Sequence, residues 1–395
     1  MTKQRGFGVL WAATSLSNLA DGLAFVAVPL IAASLTPDPR LVAGLSLTYA
    51  VVRLLFALPI GVWVDRLDRR NLFSVANILR GLALLALGIS FNLSFPNILV
   101  LYLAMAVVAV FEGTADTAAV AILPRLVKTT NLDRANSKIA ATQLVTDEIV
   151  GPPLGGFLFA LAAVIPLYFM GALWAIAGLL ALALPRTRVL SKDSGERTGV
   201  WAEAHQGISW LSKHRVVGTL ALIGGLASFG YMLPFSIFVL FAKEQLGLNS
   251  TGYGLLLAFS ALGGLISSVI APKLRVRCGY KKLIVLSLGL GSLSLAGLAF
   301  TTSAVLAGVL LALYILHAVL WNICSTSLRQ KLVPQALMGR ISSASKVLGL
   351  IGLAIGAAAG GALGTVTIAL PFVVGAAVFL LCALLALTKM EHVPQ

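Results

Sequence analysis

Among the ionisable side chains that stand inside long apolar runs in the first half of the chain are Asp21, Arg53, Glu112, Asp116, Asp147 and Glu148. A charge held within a bilayer costs at least a few kcal/mol unless it is paired or hydrated, so each is a functional candidate by default. The chemistry open to such carboxylates is the uptake and release of a proton. Low-dielectric surroundings favour the neutral form of an acid, and contact with water restores the charged one. One charge moved across 100 mV is worth about 2.3 kcal/mol and a tenfold concentration ratio about 1.4 kcal/mol. One proton can therefore sustain a gradient of roughly ten- to hundredfold in another solute. Asp21, near the middle of its run, leads the ranking for this role, followed by Glu112 and then Glu148 with its neighbour Asp147. Arg53 is the intramembrane base available to pair with Asp21 or Glu148. The second half offers Glu244 at the edge of one run and Lys346 in another, but no acid in mid-run. The first half is thus expected to handle protons.

The elements that must position these groups follow from composition. The 395 residues are 59% hydrophobic and 11% charged, where a soluble domain carries about a quarter charged residues. A spanning helix needs about 20 apolar residues. The apolar runs predict spans near 7–34, 41–64, 72–93, 96–123, 135–163 and 166–185, then 216–243, 252–272, 282–301, 303–328, 338–365 and 369–388. The runs are long rather than alternating, and only helices and closed barrels satisfy their backbone in lipid, so these are helices. The expected fold is an all-α polytopic membrane protein of twelve transmembrane helices. The first run follows Lys3 and Arg5 as a signal peptide would, yet it is too long and, with Asp21, too polar for a cleaved segment; it is expected to be retained.

Counting Lys and Arg in the connections gives the orientation. With both termini inside, 23 fall on the inner side and only Arg40 and Lys243 on the outer, while Arg53, Arg80, Lys138 and Lys346 lie within or at the edge of spans. The longest connection, 186–215, is polar and divides the spans six and six: an N-terminal bundle over 1–185, a cytoplasmic linker over 186–215 and a C-terminal bundle over 216–395. The halves echo each other. Leu126-Val127, Arg134 and Gly151-Pro152-Pro153-Leu154-Gly155-Gly156 recur as Leu332-Val333, Arg340 and Gly356-Ala357-Ala358-Ala359-Gly360-Gly361, at a shift of about 206 residues. The shifted copies share one topology, so the repeat is parallel.

After the second span the chain reads Gly61-Val62-Trp63-Val64-Asp65-Arg66-Leu67-Asp68-Arg69-Arg70. This resembles the signature loop between helices two and three of major facilitator superfamily transporters, with Asp68 where many members have Gly. The resemblance implies two six-helix bundles. It also implies a cytoplasmic latch in which Gly61 permits close packing, Asp65 and Arg66 join the halves, and Arg70 reaches Asp116. The second-half counterpart, Arg275-Val276-Arg277-Cys278-Gly279-Tyr280-Lys281-Lys282, keeps the bases but has lost the acid. Gly151, Pro152, Gly155 and Gly156 resemble the fifth-helix motif of drug antiporters, where the proline bends the span and the glycines admit a neighbour. Leu123-Pro124-Arg125, Arg134-Ala135-Asn136-Ser137, Asp147-Glu148 and Asp21-Gly22 are similar to the drug and siderophore exporter branch related to macrolide efflux proteins.

That resemblance implies a secondary active transporter, not an enzyme: a proton-coupled antiporter exporting small apolar or amphipathic compounds such as antibiotics, drugs or siderophores by alternating access. The expected setting is a bacterial inner membrane, multi-pass, with both termini cytoplasmic and the chain a monomer. The same acids would equally serve a proton-coupled importer or facilitator, and a non-transporting binding or sensor relative would keep the fold. Its partners are a small-molecule substrate, protons and the bilayer. The net charge of +15 is scattered between apolar runs and reports orientation, so no nucleic-acid partner is expected. Cys278, Cys324 and Cys382 are isolated and indicate neither a disulfide nor a metal. There is no Gly-Lys-Ser/Thr phosphate loop, so no nucleotide cofactor is expected and the proton gradient is the energy source. Asn18, Asn77, Gln143, Trp321 and Asn322 are candidates for lining a cavity or bridging helices. Trp11 and Trp174 read as packing or interface residues, and His317 as a helix-packing histidine.

Overall fold

The computed structural model of the protein describes residues 3–185, 209–211 and 214–390. Among these the regular structure is entirely helical. The first four expected spans are α1 (Lys3–Leu35), α2 (Pro39–Arg66), α3 (Arg69–Asn92) and α4 (Ile98–Leu126). The fifth is composite: α5 (Leu132–Gln143), a π-helical segment Leu144–Val150, and α6 (Gly151–Leu161). Then come α7 (Ile165–Ala181), α8 (Arg215–Phe235), the short α9 (Phe238–Glu244), α10 (Ser250–Phe300), α11 (Ala304–Leu332), α12 (Met338–Gly364) and α13 (Leu370–Lys389).

Ten helical stretches among the described residues are long and apolar enough to cross a membrane, and α7 is a shorter apolar helix beside them. At 51 residues α10 is twice the length a bilayer needs. It bends at Gly279, whose φ of 72° lies in the left-handed region that glycine enters without steric cost. The eighth and ninth spans are therefore two rods joined through one glycine, and with α7 they complete the twelve. The seventh span is also broken. Pro234 stands in its last turn, and the helix restarts at Phe238 as α9.

The sequence repeat reappears as geometry. A single 3-10 turn, Thr129–Asn131, joins α4 to α5, and another, Gln335–Leu337, joins α11 to α12. The two turns fall at the same offset as the recurring residues.

The protein divides into two compact units: Met1–Pro37, Val52–Ser194 and Asn249–Ala258 in the first, and Asp38–Val51, Gly195–Leu248 and Phe259–Gln395 in the second. In each unit a short helix start from the other half of the sequence is taken in. In the first unit, a Cβ on Gly156 of α6 would collide with the backbone of Ser250 at the start of α10. In the second, a Cβ on Gly361 of α12 would lie 3.0 Å from Arg40 Cα at the start of α2. The repeat-related glycines thus admit repeat-related helices. Most of the expected linker (186–208, 212 and 213) lies outside the described residues.

Candidate functional site

Arg80 of α3 is fully buried in the first unit and gathers several polar partners. Its Nη2 forms an ion pair with Asp21 of α1, whose side chain keeps 18% exposure. Its Nη1 donates to Ser17 Oγ at 3.2 Å and to Asn77 Oδ1 at 3.5 Å. Ser17 Oγ donates in turn to Asn77 Oδ1 at 2.9 Å. The guanidinium lies 4.2 Å from the centroid of the Trp174 ring on α7. That contact exists because α3 and α7 cross on glycines: a Cβ on Gly81 would stand 2.6 Å from Gly171 O, and one on Gly178 would stand 2.6 Å from Ser74 O. A guanidinium stays protonated in any protein environment, and its flat face suits both a carboxylate and an aromatic ring. Asp21 is the negative member of this pair, and Arg80 rather than Arg53 is its partner. Sequence reasoning counted Arg80 only as an in-span base. The signal that marks it is a lone Arg in mid-span with Asn77 three residues earlier, on the same helix face.

Arg53 of α2 pairs with Glu112 of α4 at 3.1 Å, with side chains 30% and 19% exposed. Both expected partners, Asp21 and Glu148, are thus displaced. Glu148 is itself exposed. Glu112 still belongs to the same neighbourhood, because Glu112, Asp116 and Asp147 all interact electrostatically with Asp21. Asp147 likewise feels Glu112, Asp116, Glu148 and Arg80. Four acids from three stretches of chain therefore converge, with two arginines among them.

Asp147 reaches this group through a close crossing of α1 on the fifth span. A Cβ on Gly22 would run into the Asp147 backbone, one on Gly151 would lie 2.6 Å from Gly22 Cα, and one on Gly155 would lie 2.7 Å from Leu23 O. Pro152 and Pro153 carry no N–H, so the carbonyls one turn earlier lose their helical partners. The ladder answers by widening: Gly151 N–H donates to Thr146 O, five residues back. The result is a π turn, an uncommon geometry often found at functional sites. The expected proline bend is thus a π segment bearing Asp147 and Glu148, and Gly22 of α1 is as much a part of the crossing as the motif glycines.

The signature loop is arranged differently from its expected latch. Arg70 does not reach Asp116; its Nη1 donates to Leu184 O at 3.3 Å. The bridge from α3 to α4 belongs to Arg69, which donates to Ala121 O at 3.2 Å and to Val64 O at 3.4 Å. Asp68 caps α3, its Oδ1 accepting from Arg70 N at 2.9 Å, so the residue that departs from the usual Gly has a local use. Gly61 permits no close approach: a Cβ there would meet nothing within 4 Å. The tight spot between α2 and α4 is at Gly113, where a Cβ would lie 3.2 Å from Ile60 Cδ1. Arg66 ends α2, exposed, and the side chain of Asp65 lies outside the described residues.

Asn18 is half-buried one turn before Asp21, and Gln143 is exposed one turn before Asp147, so both share a face with the acids they precede. Trp11 donates to Thr142 Oγ1 at 2.8 Å, with Lys138 Nζ 3.7 Å from its ring. In the second unit Trp321 is half-buried on α11, and Asn322 is exposed with Oδ1 accepting from Thr326 at 3.4 Å. His317 is buried, its Nδ1 against Tyr314 O and its ring edge-on to Phe379, which makes it the packing histidine its surroundings suggested.

Three comparisons set this geometry among known proteins. A family model described as the Major Facilitator Superfamily matches residues 10–357. The enterobactin exporter EntS of Salmonella typhimurium is 28% identical over 365 residues, covering 91% of this chain and 85% of the relative. A bacterial homologue of the iron transporter ferroportin, in an inward-facing state, superposes with a TM-score of 0.78 at 22% identity, over 99% of this chain and 100% of that one. The nucleoside transporter NupG does so with a TM-score of 0.76 at 14% identity, over 98% and 99%. Likeness at such identities speaks for the fold. A family match over that much of a twelve-helix chain with repeating halves decides the membership: this chain belongs to the Major Facilitator Superfamily and is a multi-pass membrane transporter, not an enzyme.

Proposed function

We propose that this transporter exports a small apolar or amphipathic compound in exchange for protons, with Asp21 carrying the coupling proton. The observation behind this reading is the pairing of Asp21 with a fully buried arginine beside three further acids. Four carboxylates facing Arg53 and Arg80 leave an excess of two negative charges, which the uptake of a proton lowers. Arg80 cannot give up its own proton, so any proton that enters resides on an acid. When Asp21 takes one, its hold on Arg80 weakens, while Ser17, Asn77 and Trp174 keep the guanidinium in place. The α1 crossing on the π segment then loses one of the charges that surround it. That change biases a bundle that rocks between two states.

Export is supported by relatives that are named exporters of enterobactin, and a siderophore falls within the cargo class. The reading includes an inner-membrane location with both termini cytoplasmic, supported by the 23 to 2 division of basic residues. It also includes a monomeric working unit and the proton gradient as the only energy source. The test is compound accumulation in cells with and without the protein. Lower accumulation, abolished by an uncoupler, is expected; higher accumulation in expressing cells sinks export and favours the importer. In inverted vesicles, Asp21→Asn is expected to abolish proton-driven uptake, and wild-type transport by that variant removes Asp21 as the coupling site.

A further inference from the structure

Residues 245–390 contain ten Lys and Arg and not one Asp or Glu. The orientation rule explains the bases but not the missing acids, because acids contribute little to topology. Seven of the ten gather where α10 bends and α11 ends: Lys273, Arg275, Arg277, Lys281, Lys282, Arg329 and Lys331. Two of them converge on one buried ring. Arg275 donates to Tyr280 Oη at 3.2 Å, with its guanidinium 5.4 Å from the ring centroid, and Lys331 Nζ lies 4.9 Å from the same centroid. Where the first half of the chain places Asp65 and Asp68 among its arginines, the second half places a tyrosine. An aromatic face attracts cations without neutralising them, so this cluster keeps its full positive charge.

The helix also shows what the counter-charge must look like. Val269, Lys273, Val276 and Arg277 stand at i, i+4, i+7 and i+8 and therefore lie in one stripe of the helix. Val269 and Val276 are 70% and 76% exposed, and Lys273 and Arg277 are exposed beside them. We infer that this face of the second unit is a binding site for an anionic phospholipid, with the phosphodiester headgroup against Lys273 and Arg277 and an acyl chain over Val269 and Val276. An acidic peptide would match the charge alone, whereas a phospholipid matches the charge and the exposed valines together. Basic pockets between helices on the cytoplasmic side suit such headgroups, and the placement rests on the orientation proposed above.

The test titrates a fluorescent phosphatidylglycerol, and separately a phosphatidylcholine, against the purified full-length protein in neutral detergent without cargo. Saturable binding that favours phosphatidylglycerol is expected. Each charge removed by Lys273→Gln or Arg277→Gln is expected to weaken it about fivefold, while Lys128→Gln with Arg134→Gln leaves it unchanged. Equal affinity for the two lipids, or equal losses in the control variant, overturns the proposal. Displacement by millimolar inorganic phosphate would make the site one for a free anion, and tighter lipid binding in Glu196→Gln with Glu203→Gln would give the place to the chain's own acids; either result overturns it as well. Since binding is read without cargo, failure of the export assay leaves this inference standing, and failure here leaves export standing.

Discussion

The two members of the Asp21–Arg80 pair differ in what each leaves behind when its partner is removed. Arg80 is fully buried and Asp21 keeps 18% of its side-chain exposure. In Asp21→Ala a guanidinium that cannot lose its charge stays in the helix interior. Ser17, Asn77 and Trp174 still hold it, but no anion faces it directly. Breaking a buried pair in this way costs about 3–5 kcal/mol. In Arg80→Met the remaining carboxyl borders a more open region and can take up a proton, so the loss is smaller, about 1–3 kcal/mol. Removing both charges together leaves neither stranded, and replacing a buried pair by apolar side chains is commonly neutral. The double variant is therefore expected to be more stable than Asp21→Ala alone. For a unit of this size each kcal/mol moves the melting temperature by about 2–4 °C, so Asp21→Ala should melt roughly 10 °C below the wild type. The assay is thermal unfolding of purified protein in detergent at a fixed scan rate, since membrane proteins commonly unfold irreversibly. Equal losses in the two single variants would refute the asymmetry, and a double variant as unstable as the sum of the singles would refute the pair itself.

Two further outcomes follow from the crossings and the loop. Gly151→Ala and Gly155→Ala push a Cβ to within 2.6–2.7 Å of α1 backbone and should lower stability by about 1–3 kcal/mol. Gly61→Ala, facing open space, should be neutral or slightly stabilising; the same melting assay separates them, and a large loss at Gly61 would restore its expected packing role. Asp68→Ala removes the cap of α3 and should cost about 1 kcal/mol, whereas Asp68→Asn should stay within a few tenths; equal effects would show that the charge, not the cap, matters there.

The membrane class, the number of crossings and the parallel repeat were all legible in one dimension, because each depends on local runs of apolar residues or on their order. A span of 20 apolar residues must be helical in lipid whatever its neighbours do. The signature loop was legible for the same reason, as a contiguous string. Even there, the string did not say which arginine would reach which helix. Arg69 and Arg70 are adjacent, yet one spans to Ala121 and the other to Leu184, because consecutive helical residues point about 100° apart.

The candidate site divides along the same line. That Asp21, Glu112, Asp116 and Asp147 need a partner or water was readable from the cost of an acid in an apolar run. Which base answers which acid was not. Asp21 and Arg80 are 59 residues apart, as are Arg53 and Glu112, and sequence distance gave no reason to prefer either pairing over Asp21 with Arg53. The choice is made by small residues that carry no charge: Gly81 and Gly171 bring α3 onto α7 so that Arg80 meets Trp174, and Gly22 and Gly151 bring α1 onto the π segment so that Asp147 stands near Asp21. The sequence alone determined which charges the membrane must tolerate, since that is a property of each residue in its run. Only the tertiary structure decided which of them neutralise one another, since an ion pair is settled by helix crossings that depend on the absence of a single Cβ.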